Sequence, residues 1–168
     1  QQWCLDKGLA MLGNSDIHHP STLHESTPDK HRAMTLVFVK DRSLDGLKEA
    51  LHAARTAVWH DDRIIGPPAL LDQLYQASVA IHKPHHSNEK NLWLNIENKS
   101  DVEIDLQRTG KRGPKTLKLP AASTTVLRLF RNSAQDEDKD SVTLKYTAKN
   151  FLIAPEKGLP VELKIPLH

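Results

Sequence analysis

Apolar residues follow two different rhythms along this chain. In the first half they come in short continuous runs and at helical spacing. Leu9-Ala10-Met11-Leu12 has strand length and ends at Gly13, and Met34-Thr35-Leu36-Val37-Phe38-Val39 is a second, nearly unbroken run. Runs of this kind suit strands covered on both faces, as in parallel α/β sheets. Ser43 then reads as a helix N-cap, with Leu44, Leu47, Leu51 and Ala54 recurring at helical spacing behind it. Thr56-Ala57-Val58-Trp59 predicts a short strand, Asp61-Asp62 a turn, and Arg63-Ile64-Ile65-Gly66 a returning strand. Pro67-Pro68 opens a second helix to about residue 81, with Leu70, Leu71, Leu74, Tyr75 and Val79 on its apolar face. Trp3, Cys4 and Leu5 before Lys7-Gly8 read as the last turns of a helix closed by glycine. This order of strands and helices predicts an α/β fold.

From residue 91 the period becomes two. Leu92, Leu94 and Ile96 alternate with Trp93, Asn95 and Glu97, and Val102, Ile104 and Leu106 alternate with Glu103, Asp105 and Gln107. Similar short segments follow around Leu117, Val126, Val142 and Val161, separated by turn-forming or charged stretches. The pattern predicts a small antiparallel sandwich. The expected organisation is therefore an α/β portion over 1–83, a polar linker over 84–90 and an all-β domain over 91–168.

Composition narrows this only slightly. The chain has 168 residues, of which 38% are hydrophobic and 26% charged, enough for one medium domain or two small ones. A formal charge of +2 is too balanced to point to nucleic acid. The basic group Lys111, Arg112, Lys115 and Lys118 lacks interleaved aromatic residues, which favours a solvated loop. Cys4 is the single cysteine and reads as a small packing residue. No apolar run approaches the roughly 20 residues that a spanning helix needs. The opening Gln-Gln-Trp-Cys has neither an initiator Met nor a signal-peptide pattern. It leads to the expectation that a further N-terminal portion precedes this sequence; compartment is left open.

The candidate chemistry begins at Asp16-Ile17-His18. In an extended chain, residues i and i+2 project to one side, roughly 6–7 Å apart. Asp16 and His18 would then face one site, and a carboxylate with an imidazole suits Zn, Mn or Fe. The loop that follows carries His19, His24, His31 and Arg32, and Arg32 with His31 is a candidate contact for a substrate phosphate, since arginine suits bidentate anion binding. His82, His85 and His86 sit in polar sequence without a fourth ligand nearby and read as surface residues. No side chain is assigned as a catalytic nucleophile.

Gly13-Asn14-Ser15-Asp16-Ile17-His18, together with residues 31–40, Ala50-Leu51, Arg55 to Trp59 and Ile64-Ile65-Gly66, resembles the C-terminal end of a PHP (polymerase and histidinol phosphatase) domain. The resemblance is nearest to bacterial PHP-type phosphodiesterases of the Sb-PDE kind, which append a small β domain. It implies the terminal strands and helices of a distorted (β/α)7 barrel followed by an Ig-like sandwich. It also implies up to three divalent transition metals and hydrolysis of a small phosphoester, phosphodiester or phosphomonoester, by a metal-bridged hydroxide. Asp16 and His18 would be the last two metal ligands. The family's opening His-x-His and its middle ligands are absent from this sequence, so the chain alone is expected to be inactive, with the missing barrel portion as its first partner. Two other readings compete: a non-catalytic binding or interaction module built on the sandwich, and a degenerate PHP domain. Oligomeric state is left open.

Overall fold

The computed structural model describes residues 1–16, 18, 31–131 and 140–167. The described chain is mostly β-sheet. It contains helices α1 (Gln2–Lys7), α2 (Leu44–His52) and α3 (Pro68–Ser78). Its strands are β1 (Met34–Val37), β2 (Thr56–His60), β3 (Arg63–Ile65), β4 (Val79–Ile81), β5 (His86–Ser87), β6 (Asn91–Asn98), β7 (Ile104–Arg108), β8 (Thr116–Leu119), β9 (Ser123–Phe130), β10 (Ser141–Ala154) and β11 (Lys157–Pro166). Two compact units form, one from Gln1–Leu74 with Asn150–Leu159, the other from Tyr75–Lys149 with Pro160–His168.

In the first unit β1 pairs antiparallel with β2, from Met34↔Trp59 to Val37↔Thr56. The β2–β3 pair is also antiparallel, and β3 lies parallel to β10 at Phe151↔Ile64 and Leu152↔Ile65. The parallel arrangement expected for this half is thus limited to one pair. The register explains why: Val37 stands opposite Thr56, so the excursion through α2 leaves and re-enters the sheet at the same end. A crossover to a parallel strand has to carry the chain to the other end. Nor is β1 covered on both faces, since Met34 is exposed and the next three residues are half-buried.

Helix α2 begins as its sequence demands. Ser43 is extended at φ −113° and its Oγ accepts the Gly46 N–H at 2.9 Å. Its buried residues are Gly46 and Ala50, whereas Leu44, Leu47 and Leu51 are 65%, 38% and 36% exposed. The apolar face expected from the leucine spacing is therefore not the one this unit buries. The small face wins because the chain approaches so closely there: a Cβ at Gly46 would lie 2.6 Å from the Asp41 carbonyl oxygen. Helix α1 ends at Gly8 in the left-handed region, φ 63°, as the glycine stop predicts. Residues 9–12 do not form the expected strand; Met11 is buried, but Leu9 and Leu12 are exposed. Helix α3 stops at Ser78, earlier than expected, because Val79-Ala80-Ile81 pairs with β6 as β4. β-branched Val79 and Ile81 suit that pleated environment better than a helix.

The second unit follows the period-two pattern. Strand β6 is flanked by β9 on one edge and by β4 and β5 on the other. Strand β7 pairs with β8 and with Tyr146 to Ala148 of β10, and β11 also pairs with β10. Residues 84–90, read as a linker, contain β5. Leu92, Leu94 and Ile96 are fully buried, with Ile104, Leu106, Leu119, Leu144 and Ile165. Buried Asn98 is satisfied by donating its Nδ2 to the carbonyls of Val102 and Leu119 at 2.8 and 2.9 Å.

Candidate metal centre and comparison with known proteins

Gly13, three residues before Asp16, is anchored on the β1–β2 pair of the first unit. Thr35 of β1 stands opposite Val58 of β2. Above them runs Gly13: its N–H donates to Thr35 Oγ1 at 2.9 Å, and the same hydroxyl donates to the Gly13 carbonyl at 3.1 Å. A hydroxyl side chain thus stands in for a ladder of backbone bonds, which is why no strand is needed to anchor residues 9–13. Gly13 is there for want of space. A Cβ built on it would fall 2.4 Å from Val58 Cγ1 and 3.3 Å from the Met34 carbonyl oxygen. Sequence reasoning singled out neither Thr35 nor Val58; a threonine interrupting an apolar run was the available signal.

Three residues beyond this anchor, Asp16 adopts φ 48°. Aspartate tolerates this left-handed backbone better than most residues. The Asp16 Oδ1 and the His18 Nε2 stand 3.5 Å apart, with side chains 93% and 80% exposed. Two ligands about 2.1 Å from one tetrahedral ion lie about 3.4 Å from each other. The spacing therefore fits two vertices of a single metal site as well as it fits a solvent-exposed ion pair. Among the described residues, no group of three or more His, Cys, Asp or Glu side chains is gathered closely enough to hold a metal.

His31 stands against Trp59, with ring centroids 4.0 Å apart and planes tilted by 59°. Its Nδ1 lies 2.7 Å from the carbonyl oxygen of Arg32, which places the proton on Nδ1. Nε2 is buried, and among the described residues it has no hydrogen-bond partner. His19 and His24, also named from the sequence, lie outside the described residues. His82 Nε2 is 3.2 Å from Glu97 Oε2, and the His86 ring lies 4.9 Å from that of Trp93. Lys118 of the basic group pairs with Glu103 at 2.9 Å.

Two further features belong to the first unit. At the end of α2, Arg55 grips Glu49 through both guanidinium nitrogens and donates Nε to the Phe38 carbonyl at 3.0 Å. The hydrogen-bonded Arg55 holds the Glu49 carboxyl at about 2, with Lys40 adding to the effect. A cavity of about 500 Å³ is bordered by Leu5, Leu9, Ala53, Pro67 and Ile153, and neither Asp16 nor His18 lines it.

Comparison with known proteins places this geometry in context. The structure is similar to a crystal structure from Bacteroides vulgatus, described as a two-domain protein containing a predicted PHP-like metal-dependent phosphoesterase. The TM-score is 0.83 and the sequences are 32% identical. The match covers 98% of this chain and 48% of the other, so this chain spans about half the length of that protein. No curated protein matches the sequence. A family model for an Ig-like domain matches residues 79–164, and on that match the chain belongs to the DUF5001 family of Ig-like domains.

Proposed function

We propose that this chain serves a metal-dependent phosphoesterase of the PHP type, with Asp16 and His18 supplying two protein ligands to a divalent ion. One observation carries the reading: an anionic oxygen and an imidazole nitrogen 3.5 Å apart on exposed side chains, in a chain that is 32% identical to a PHP-like neighbour over 98% of its length. The remaining ligands would come from the portion of a longer protein that corresponds to the unmatched half of that neighbour. The appended Ig-like domain favours the Sb-PDE-type branch of the family, and with it phosphodiesters of small alcohols as substrates.

Each residue has a defined part in this reading. Asp16 offers a charged oxygen from a residue with left-handed backbone. His18 would bind through Nε2, leaving Nδ1 to carry the ring proton. A divalent ion held by these two side chains would supply Lewis acidity and lower the pKa of a water. Arg32 offers a fork suited to phosphate oxygens. The Nδ1 of His31 is committed to the Arg32 carbonyl.

The test uses the full-length protein. Asp16→Asn keeps the shape but removes the charge. It is expected to lower bound metal, measured by elemental analysis, and to lower hydrolysis of bis(p-nitrophenyl) phosphate by about 100-fold or more, beyond what losing an outer-shell partner costs. Unchanged metal content and rate would overturn the assignment and favour the Ig-like unit as a non-catalytic binding module.

A further inference from the structure

The outer face of β6 and β9 in the Ig-like unit is unusual for an exposed surface. Val126 and Phe130 are 59% and 67% exposed, although the same strand buries Leu127 and Leu129. Beside them Arg128 lies over both neighbouring rings, 5.6 Å from the Trp93 centroid and 5.1 Å from that of Phe130. Its Nε donates to the Asn91 amide oxygen at 2.9 Å. Among the described residues no carboxylate pairs with Arg128, whereas Lys118, Lys145 and Arg55 each have one. Apolar side chains and a stacked, unneutralised guanidinium on one flat face mark a surface that something covers.

The register shows what fits. Asn95 is paired with Val126 at the middle of the face. Trp93↔Arg128 lies two residues to one side and Glu97↔Thr124 two residues to the other. The face therefore carries a cation at one end, a carboxylate at the other and an apolar residue between them. A surface of this kind is complementary to itself. A two-fold axis running across the strands through Val126 sets Val126 on its own copy and brings each Arg128 within side-chain reach of Glu97 in the other molecule, the condition for an isologous interface. With eight residues in β6 and β9, the face is roughly 27 Å long and about 14 Å across three strands. A patch of that size is about 380 Å² per copy and about 760 Å² for the pair, below the roughly 1,000 Å² of a stable specific interface, which predicts a weak, transient and concentration-dependent dimer.

We propose that this chain forms a two-fold dimer through the outer face of β6 and β9, with Val126 at its centre and Arg128 of each copy paired with Glu97 of the other. Half-buried Glu97 holds His82 at 3.2 Å, and among the described residues no second side chain pairs with it, so the carboxylate has capacity for another donor.

Sedimentation velocity on the chain across a dilution series tests this, with circular dichroism confirming that each variant is folded. The wild type is expected to shift from monomer to dimer as concentration rises. Val126→Arg places two cations face to face at the axis and is expected to hold the protein monomeric throughout. Arg128→Glu and Glu97→Arg are each expected to weaken association about tenfold or more, and the double reversal to restore it to within a few-fold of wild type. The reversal pair keeps the question decidable if Val126→Arg does not fold. A wild type that stays monomeric, a folded Val126→Arg that still dimerises, or a double reversal no tighter than either single variant would each overturn the proposal.

Discussion

Tyr146 brings a hydroxyl into the core of the Ig-like unit, where it is 1% exposed, and disposes of it by donating to the Pro114 carbonyl at 3.1 Å. The turn that presents this carbonyl depends on Gly113. It sits at φ 87°, where a Cβ would come 2.5 Å from the tyrosine oxygen. Burial raises the phenol to about 12, against the opposing pull of Arg108. Its stabilising effect is thus complete below the ordinary value near 10 and is lost as pH rises toward about 12, because the unfolded chain releases the proton first. Tyr146→Phe is expected to lower stability at neutral pH by about 1 kcal/mol, the worth of one hydrogen bond. It should also flatten the decline in denaturant midpoint between about pH 10 and 12. An alkaline slope identical in both proteins would show that the phenol is not its source. Neither the contact nor the shift is readable from the sequence, where Tyr146 is one more inward position of an alternating strand.

At the scale of elements, local chemistry was readable and tertiary choice was not. Ser43 as N-cap, Gly8 as helix stop and the alternation along β6 depend on neighbours in sequence, and the structure keeps all three. Which face of α2 is buried depends on what the rest of the fold offers. There the close approach of Asp41 to Gly46 outweighed three leucines. The same holds for β4, whose pairing with a strand more than ten residues later outcompeted the last turn of α3. Helix α2 also ends in a device that spacing alone does not reveal, the grip of Arg55 on Glu49. The Glu49 carboxyl is lowered from 4.5 to about 2, chiefly by its hydrogen bond with Arg55. Its contribution is present above the unfolded value near 4.5 and is lost as pH falls toward about 2. Both side chains are in reach of solvent, so the effect on stability is small and screened by salt. Acid titration of Glu49→Gln followed by thermal melting should lack the part of the wild-type decline between these values. The difference should shrink at high ionic strength, and a difference that persists there would point to a source other than this ion pair.

For the molecule as a whole, the candidate centre was half readable. The sequence offered Asp16 and His18 as partners, and the structure places them 3.5 Å apart. It did not offer what anchors the chain just before them, the Thr35 hydroxyl and the gap at Gly13 over Val58. Two ligands are also too few. Structural zinc sites use four protein ligands and catalytic ones about three, and each missing ligand leaves its share of binding energy to water. This chain by itself is therefore expected to bind Zn²⁺ or Mn²⁺ only weakly and to hydrolyse no phosphoester at a measurable rate. Calorimetric titration of the wild-type chain checks this against Asp16→Asn. Its ten histidines will take up some zinc without a defined stoichiometry, and that background should be the same in both proteins. A tight site with a whole-number stoichiometry, raising the melting temperature of the wild type and absent from Asp16→Asn, would show that this chain completes a metal centre on its own. In that event the remaining ligands must come from this chain, and the need for a larger protein to assemble the site falls away.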